Sequence, residues 1–202
     1  MTTPRPFHDD RPRPHPRAMA WLAALILLAA GHRPAAAALH PHEREGWMLG
    51  LGFGGGSAAV TSGGVTSDRE NGTSTHVRAG YVLTPRVSIG VEGNVWFKTI
   101  QGVDWTFSTV TAEATVYPGS GFTLRAGLGG GTAQTSISSG NVTTTASESG
   151  LGMSTGVGYE IRVARKWAIV PQFDVSFVNL DNFKANYATM SVAAHWYLLP
   201  SH

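Results

Sequence analysis

Beyond residue 45, apolar and polar residues alternate one by one through most of the chain. Thr75, Val77, Ala79, Tyr81 and Leu83 stand against His76, Arg78 and Gly80. Val87, Ile89, Val91, Val95 and Phe97 stand against Ser88, Gly90, Glu92, Asn94 and Lys98. Phe122, Leu124, Ala126 and Leu128 oppose Thr123, Arg125, Gly127 and Gly129. Leu151, Met153, Val157, Tyr159 and Ile161 oppose Gly152, Ser154, Gly156, Gly158, Glu160 and Arg162. A period of two marks a β-strand with two unlike faces, and no comparable stretch shows the 3.6-residue period of a helix. The pattern predicts eight strands, over 46–56, 73–83, 86–98, 104–117, 121–134, 148–163, 166–178 and 185–198. Thr84-Pro85, Pro118-Gly119-Ser120 and Ala164-Arg165 are tight turns, whereas 57–72, 99–103, 135–147 and 179–184 are mostly longer and rich in Gly, Ser, Thr and Asn. Short turns at one end and longer loops at the other predict an all-β, up-and-down antiparallel barrel of the membrane-spanning kind. Pro171 falls inside the seventh strand and has no N–H to give to a ladder, so a bulge is expected there.

The segment before the strands has a different character. Arg5, Arg11, Arg13 and Arg17 form a basic stretch broken by prolines, followed by a thirteen-residue apolar run, Ala18 to Ala30, and by small residues Ala35 to Ala38. This is the order of a cleavable signal peptide, with cleavage expected after Ala38, rather than of a buried helix. The expected organisation is a signal peptide over 1–38, a periplasmic linker over 39–45, the barrel over 46–198 and a tail over 199–202. Removing 1–38 takes away five of the 15 basic residues (Arg33 is the fifth) and two of the 13 acidic ones, Asp9 and Asp10. Ten basic and 11 acidic residues then remain, so the basic balance belongs to the presequence and nucleic acid is not expected as a partner. No apolar run reaches the length of a membrane-spanning helix, and the absence of cysteine excludes disulfides and thiolate metal sites.

The direction of the apolar face separates two kinds of barrel. A soluble lipocalin-like ligand carrier turns it inward, whereas a membrane barrel turns it toward lipid and keeps a polar lumen. Aromatic residues gather near the strand ends: Trp47, Tyr81, Tyr117, Phe122, Tyr159, Trp167 and Trp196 at the short-turn end, and Phe53, Phe97, Trp105, Phe107, Phe177 and Tyr187 at the loop end. These are assigned to two interfacial girdles. The polar face is rich in Gly and Ser and carries charges of both signs: Arg78, Lys98, Arg125 and Arg162 against Glu92, Glu113, Glu160 and Asp174. Charges enclosed in a tube must pair, so these eight residues are expected to form a lumen network. It either braces the barrel structurally or lines a narrow gated pore.

The presequence, the eight alternating strands and the 164 residues that follow cleavage resemble the small outer-membrane β-barrels of the OmpA-transmembrane-domain and OmpX kind. The resemblance implies a monomer in the outer membrane of a diderm bacterium, inserted by the barrel-assembly machinery and in contact with outer-membrane lipid. It also implies loops, here 57–72 and 135–147, that meet an extracellular partner. Met190, Val192, Ala194, Trp196 and Leu198 alternate as a terminal strand of that family does, but the chain runs on through Leu199-Pro200-Ser201-His202.

Candidate chemistry is sparse, and no cofactor is expected. No serine stands beside a histidine and an acid in a local motif, so the chain is expected to be non-enzymatic; His76 with Glu92 is the one pair considered for base chemistry. His40-Pro41-His42 offers two imidazoles without a third ligand and is assigned to a solvated linker. The run Gly52 to Gly56 lacks the Lys-Ser/Thr of a phosphate loop and is assigned to a strand. The expected role is structural or surface interaction, with a narrow conduit for small solutes or apolar molecules as the alternative.

Overall fold

The computed structural model describes residues 44–119, 121–139 and 142–198. Residues 1–38, read above as a signal peptide, residues 39–43 of the expected linker with His40 and His42, and the expected tail over 199–202 lie outside them. The strands are β1 (Gly46–Ser62), β2 (Val65–Thr66), β3 (Glu70–Thr84), β4 (Val87–Ile100), β5 (Val103–Val116), β6 (Phe122–Ser139), β7 (Val142–Tyr159), β8 (Ile161–Ala164), β9 (Trp167–Asn179) and β10 (Lys184–Leu198). All pairings are antiparallel between chain neighbours, and β10 pairs with both β9 and β1, which closes the sheet. Closure leaves no sheet edge exposed around the wall. β2 is a two-residue arm folded back on β1, and β7 and β8 are two parts of one barrel strand, so eight strands form the wall.

Pro171 explains why that one strand is split. Gly158 is paired with Gln172 and Ile161 with Ile169 in one unbroken register, while Tyr159 and Glu160, opposite Pro171 and Val170, make no ladder pair. The expected bulge is therefore corrected: the missing N–H interrupts the ladder without shifting it. Register shifts occur instead beside two tight turns, between Val82 and Thr84 and between Arg162 and Ala164.

The expected long loops are corrected as well. Gly63 and Gly64 both have positive φ and join Ser62 to its partner Val65, and Gln101 and Gly102 do the same between Ile100 and Val103. Two successive left-handed residues make the hairpin turn that matches strand twist. β6 and β7 stay paired as far as Ser139 and Val142, so most of the expected loop 135–147 is strand. At about 3.4 Å per residue an 18-residue strand is about 60 Å long; tilted by about 45°, it still outreaches an apolar band about 25 Å tall. The hairpins at this end project beyond the bilayer as sheet rather than as loop.

The faces are sorted as in a membrane barrel. Leu51, Phe53, Val77, Val91, Leu124, Leu128, Phe173 and Val192 are exposed on the outside, whereas Arg78, Glu92, Thr111, Arg125, Asp174 and His195 are buried inside. Four residues assigned to the girdles belong to the lumen instead: Tyr117, Phe107 and Tyr187 are buried, and Trp105, on the same face of β5 as Phe107, packs partly buried against the inner apolar cluster. Trp96, Phe107, Tyr187, Val178 and Leu180 form an apolar cluster inside the loop end, with Trp96 stacked on Phe107 at 5.5 Å. Met48, Val82, Ala168, Val170 and Tyr197 form a second cluster toward the turn end.

Candidate functional site

The charged residues of the lumen fall into three groups. The middle group comes from five strands: Arg78 on β3, Glu92 on β4, Glu113 on β5, Arg125 on β6 and Asp174 on β9. Arg78 and Glu92 are direct register partners and form an ion pair. Arg78 Nε lies 3.1 Å from Glu113 Oε1, and Arg125 Nε lies 3.9 Å from Glu113 Oε2. Arg125 also pairs with Asp174. Neutral groups occupy further lone pairs and protons: Thr115 donates to Glu113 at 3.0 Å, Gln172 donates to Asp174 at 2.8 Å, and Arg125 donates to Thr123 at 3.3 Å.

Glycine makes one of these pairings possible. Gly156 on β7 is the register partner of both Arg125 and Asp174, so it stands between them. A Cβ there would overlap Asp174 Oδ1 and come within 2.8 Å of Arg125 Nη2. The guanidinium crosses the strand through the space that a side chain would fill. Gly50 and Gly52 serve two buried imidazoles in the same way, His195 lying over the first and His76 over the second. His76 Nε2 faces the Gln172 amide at 3.1 Å, and Glu92 is engaged by Arg78, so the two residues considered for base chemistry are served by different partners.

The second group lies toward the turn end. Glu160 is paired with Arg162, receives Arg44 Nε at 3.1 Å and accepts the Tyr197 hydroxyl at 2.8 Å. The guanidinium of Arg44 lies 4.1 Å from the centre of the Tyr117 ring, and that of Arg162 lies 3.9 Å from the centre of Tyr197. Such stacking keeps a cation compensated where little water reaches it. The third group is Lys98 with Glu70 at 2.5 Å, a partly exposed pair at the loop-end mouth.

Of the eight predicted lumen charges, five form the middle group, Glu160 and Arg162 form the turn-end group, and Lys98 stands apart. Arg44 was assigned to the linker, yet it is 5% exposed and inserted in the turn-end group. Alternation does not extend to residue 44, so no periodic signal marks it. Gln172 and His195 share the polar face of their strands with the charges, and that position was the available signal.

A closed antiparallel sheet with an apolar exterior and a paired, charged interior defines a transmembrane β-barrel. The chain belongs to the outer membrane protein beta-barrel domain family, whose model matches residues 22–195. It is accordingly a bacterial outer-membrane protein. None of the curated proteins matches it. Among solved structures it is similar to Ail, the attachment invasion locus protein of Yersinia pestis, with 18% identity, a TM-score of 0.54, and coverage of 75% of this chain and 99% of that one. The same protein in complex with the heparin analogue sucrose octasulfate gives a TM-score of 0.56 at 18% identity, with the same coverage. Neisserial surface protein A gives 16% identity, a TM-score of 0.54, and coverage of 76% of this chain and 98% of that one. These likenesses concern the fold.

Proposed function

We propose that the protein is a non-enzymatic, monomeric outer-membrane barrel with a closed lumen, acting in envelope structure or at the cell surface through the hairpins that project from its loop end. In this reading residues 1–38 direct export, the barrel-assembly machinery inserts the mature chain, and an extracellular partner meets 57–72 and 135–147, now as sheet and turns. The observation that carries it is the filling of the lumen: an apolar cluster around Trp96 and Tyr187, the five-residue ion group, and the Glu160 group follow one another along the tube. An eight-stranded barrel is narrow enough for side chains to fill it. Seven of the eight charges brace the wall from within the lumen, with Lys98 standing apart at its mouth; they do not line an open path.

The conduit reading has one observation in its favour. Ser74, Asn94, Ser176, Ser191 and His195 carry buried polar atoms without a protein partner, which suits internal water. Planar-bilayer recording of the purified, refolded protein separates the two. The closed-barrel reading expects a flat current trace at moderate voltage; discrete, reproducible current steps would replace it with the conduit.

A further inference from the structure

The outer wall carries a site that holding a barrel in lipid does not require. At the loop end, where β7, β9, β10 and β1 lie side by side, Leu151, Met153 and Phe177 line a groove of about 220 Å³ with Asn179, Lys184 and Asn186. The register sets them in two rows across the wall. Met153, Phe177 and Asn186 are successive partners in one row, and Leu151, Asn179, Lys184 and Thr61 in the next, nearer the loops. Leu151, Met153 and Phe177 are about half exposed, so the groove opens outward to the membrane, while Val178 and Ala185 of the inner cluster also line it.

Arg69 is held against the same wall. Its Nη1 donates to Asn186 Oδ1 at 2.7 Å, and its Nε and Nη2 donate to the Ser57 hydroxyl and carbonyl at 3.0 and 2.7 Å. Among the described residues no carboxylate lies within ion-pair distance of Arg69 or Lys184, although Asp181 is in the adjoining loop. Two cations without counter-ions therefore stand beside an apolar groove, at the height where the outward positions change from Met153 and Phe177 to Asn179 and Lys184. That change marks the boundary between acyl chains and headgroups.

We infer that this groove binds one phosphate-bearing lipid, its acyl chain against Leu151, Met153 and Phe177 and its phosphate on Lys184 and Arg69. The apolar side chains of Leu151, Met153 and Phe177 select an amphiphile over a free anion, and the two cations select a phosphate over a neutral headgroup. The site is independent of whether the lumen conducts.

The test uses the folded, detergent-solubilised protein and native mass spectrometry with two probes that share acyl chains, dioleoyl phosphatidic acid and dioleoylglycerol. One phosphatidic acid is retained per protein at about 25-fold lower lipid concentration than the diacylglycerol, as two cations near a phosphate imply. Lys184→Gln and Arg69→Gln each weaken phosphatidic acid retention about fivefold and leave the diacylglycerol unchanged. Phe177→Ser weakens both, and Lys98→Gln, which removes a cation outside the groove, weakens neither. Folding of each variant is checked by its heat-dependent electrophoretic shift. Equal retention of the two lipids, or retention by both cation variants as in the parent, would overturn the site. Displacement of the lipid by millimolar inorganic phosphate would overturn the acyl contribution.

Discussion

Glu70 and Lys98 face each other at the mouth with 46% and 29% of their side chains exposed, whereas Arg78 and Glu92, on the same two strands further down the tube, are 3% and 2% exposed. Both pairs join β3 to β4, and both consist of one acid and one base on the lumen face. Solvent makes the difference. At the mouth, water solvates either partner alone, so the pair adds about 0–1 kcal/mol. In the middle, neither partner regains water when the other is removed, and breaking a buried pair costs about 3–5 kcal/mol. The lesson concerns loss, not gain: a buried ion group is a weak argument for net stability but a strong argument that its members cannot be removed singly.

The largest effect expected is that of Arg125→Leu, which leaves buried Asp174 without its cation and Glu113 with Arg78 alone. Denaturant unfolding in lipid vesicles should show a loss of about 3–5 kcal/mol. Leu124→Arg, one residue away but on the lipid side, should cost about 2–4 kcal/mol if the position lies near the bilayer midplane. The two neighbouring substitutions have opposite chemistry, one deleting a charge and one adding it. A null effect for either would break the assignment of its face.

Gly156→Ala sharpens the comparison by adding no charge. The new methyl overlaps Asp174 Oδ1, and the expected loss is about 1–3 kcal/mol, typical of overpacking. Measured in an Arg125→Leu background, the loss should shrink, because the guanidinium that crosses the strand is gone. Lys98→Gln is the smallest: unfolding should move by less than about 1 kcal/mol, and most of that small change should vanish at high salt.

Much of the barrel was legible because its determinants are local and periodic. Alternation at Val87 to Phe97 or Leu151 to Ile161 depends only on neighbours two residues apart, and it identifies strand, face and count together. The lumen group was legible for the same reason, since Arg78, Glu92, Glu113, Arg125 and Asp174 all occupy the polar phase of their strands. What alternation cannot report is height along the tube. Tyr117, Phe107 and Tyr187 were assigned to girdles by nearness to strand ends, but an aromatic also suits the lumen where its hydroxyl finds a partner, as Tyr187 does in Thr109 at 2.9 Å. Height also separates Lys98 from the group with which it shares a face.

The loop end was misread for a related reason. Ser and Thr in 135–147 resemble loop composition, yet a strand projecting into water needs no apolar face. The Gly63-Gly64 pair, a strong hairpin signal, was absorbed into a longer loop. Arg44 was invisible because its place depends on Glu160, 116 residues away.

The most direct test of the account is a pair of double-mutant cycles on β3 and β4, Arg78→Gln with Glu92→Gln and Lys98→Gln with Glu70→Gln, both read by denaturant unfolding in the same vesicles. The account predicts a coupling of more than about 2 kcal/mol for the buried pair and less than about 1 kcal/mol for the mouth pair. Equal couplings would contradict it, because the middle of the lumen would then be as well solvated as its mouth and the barrel would not be closed.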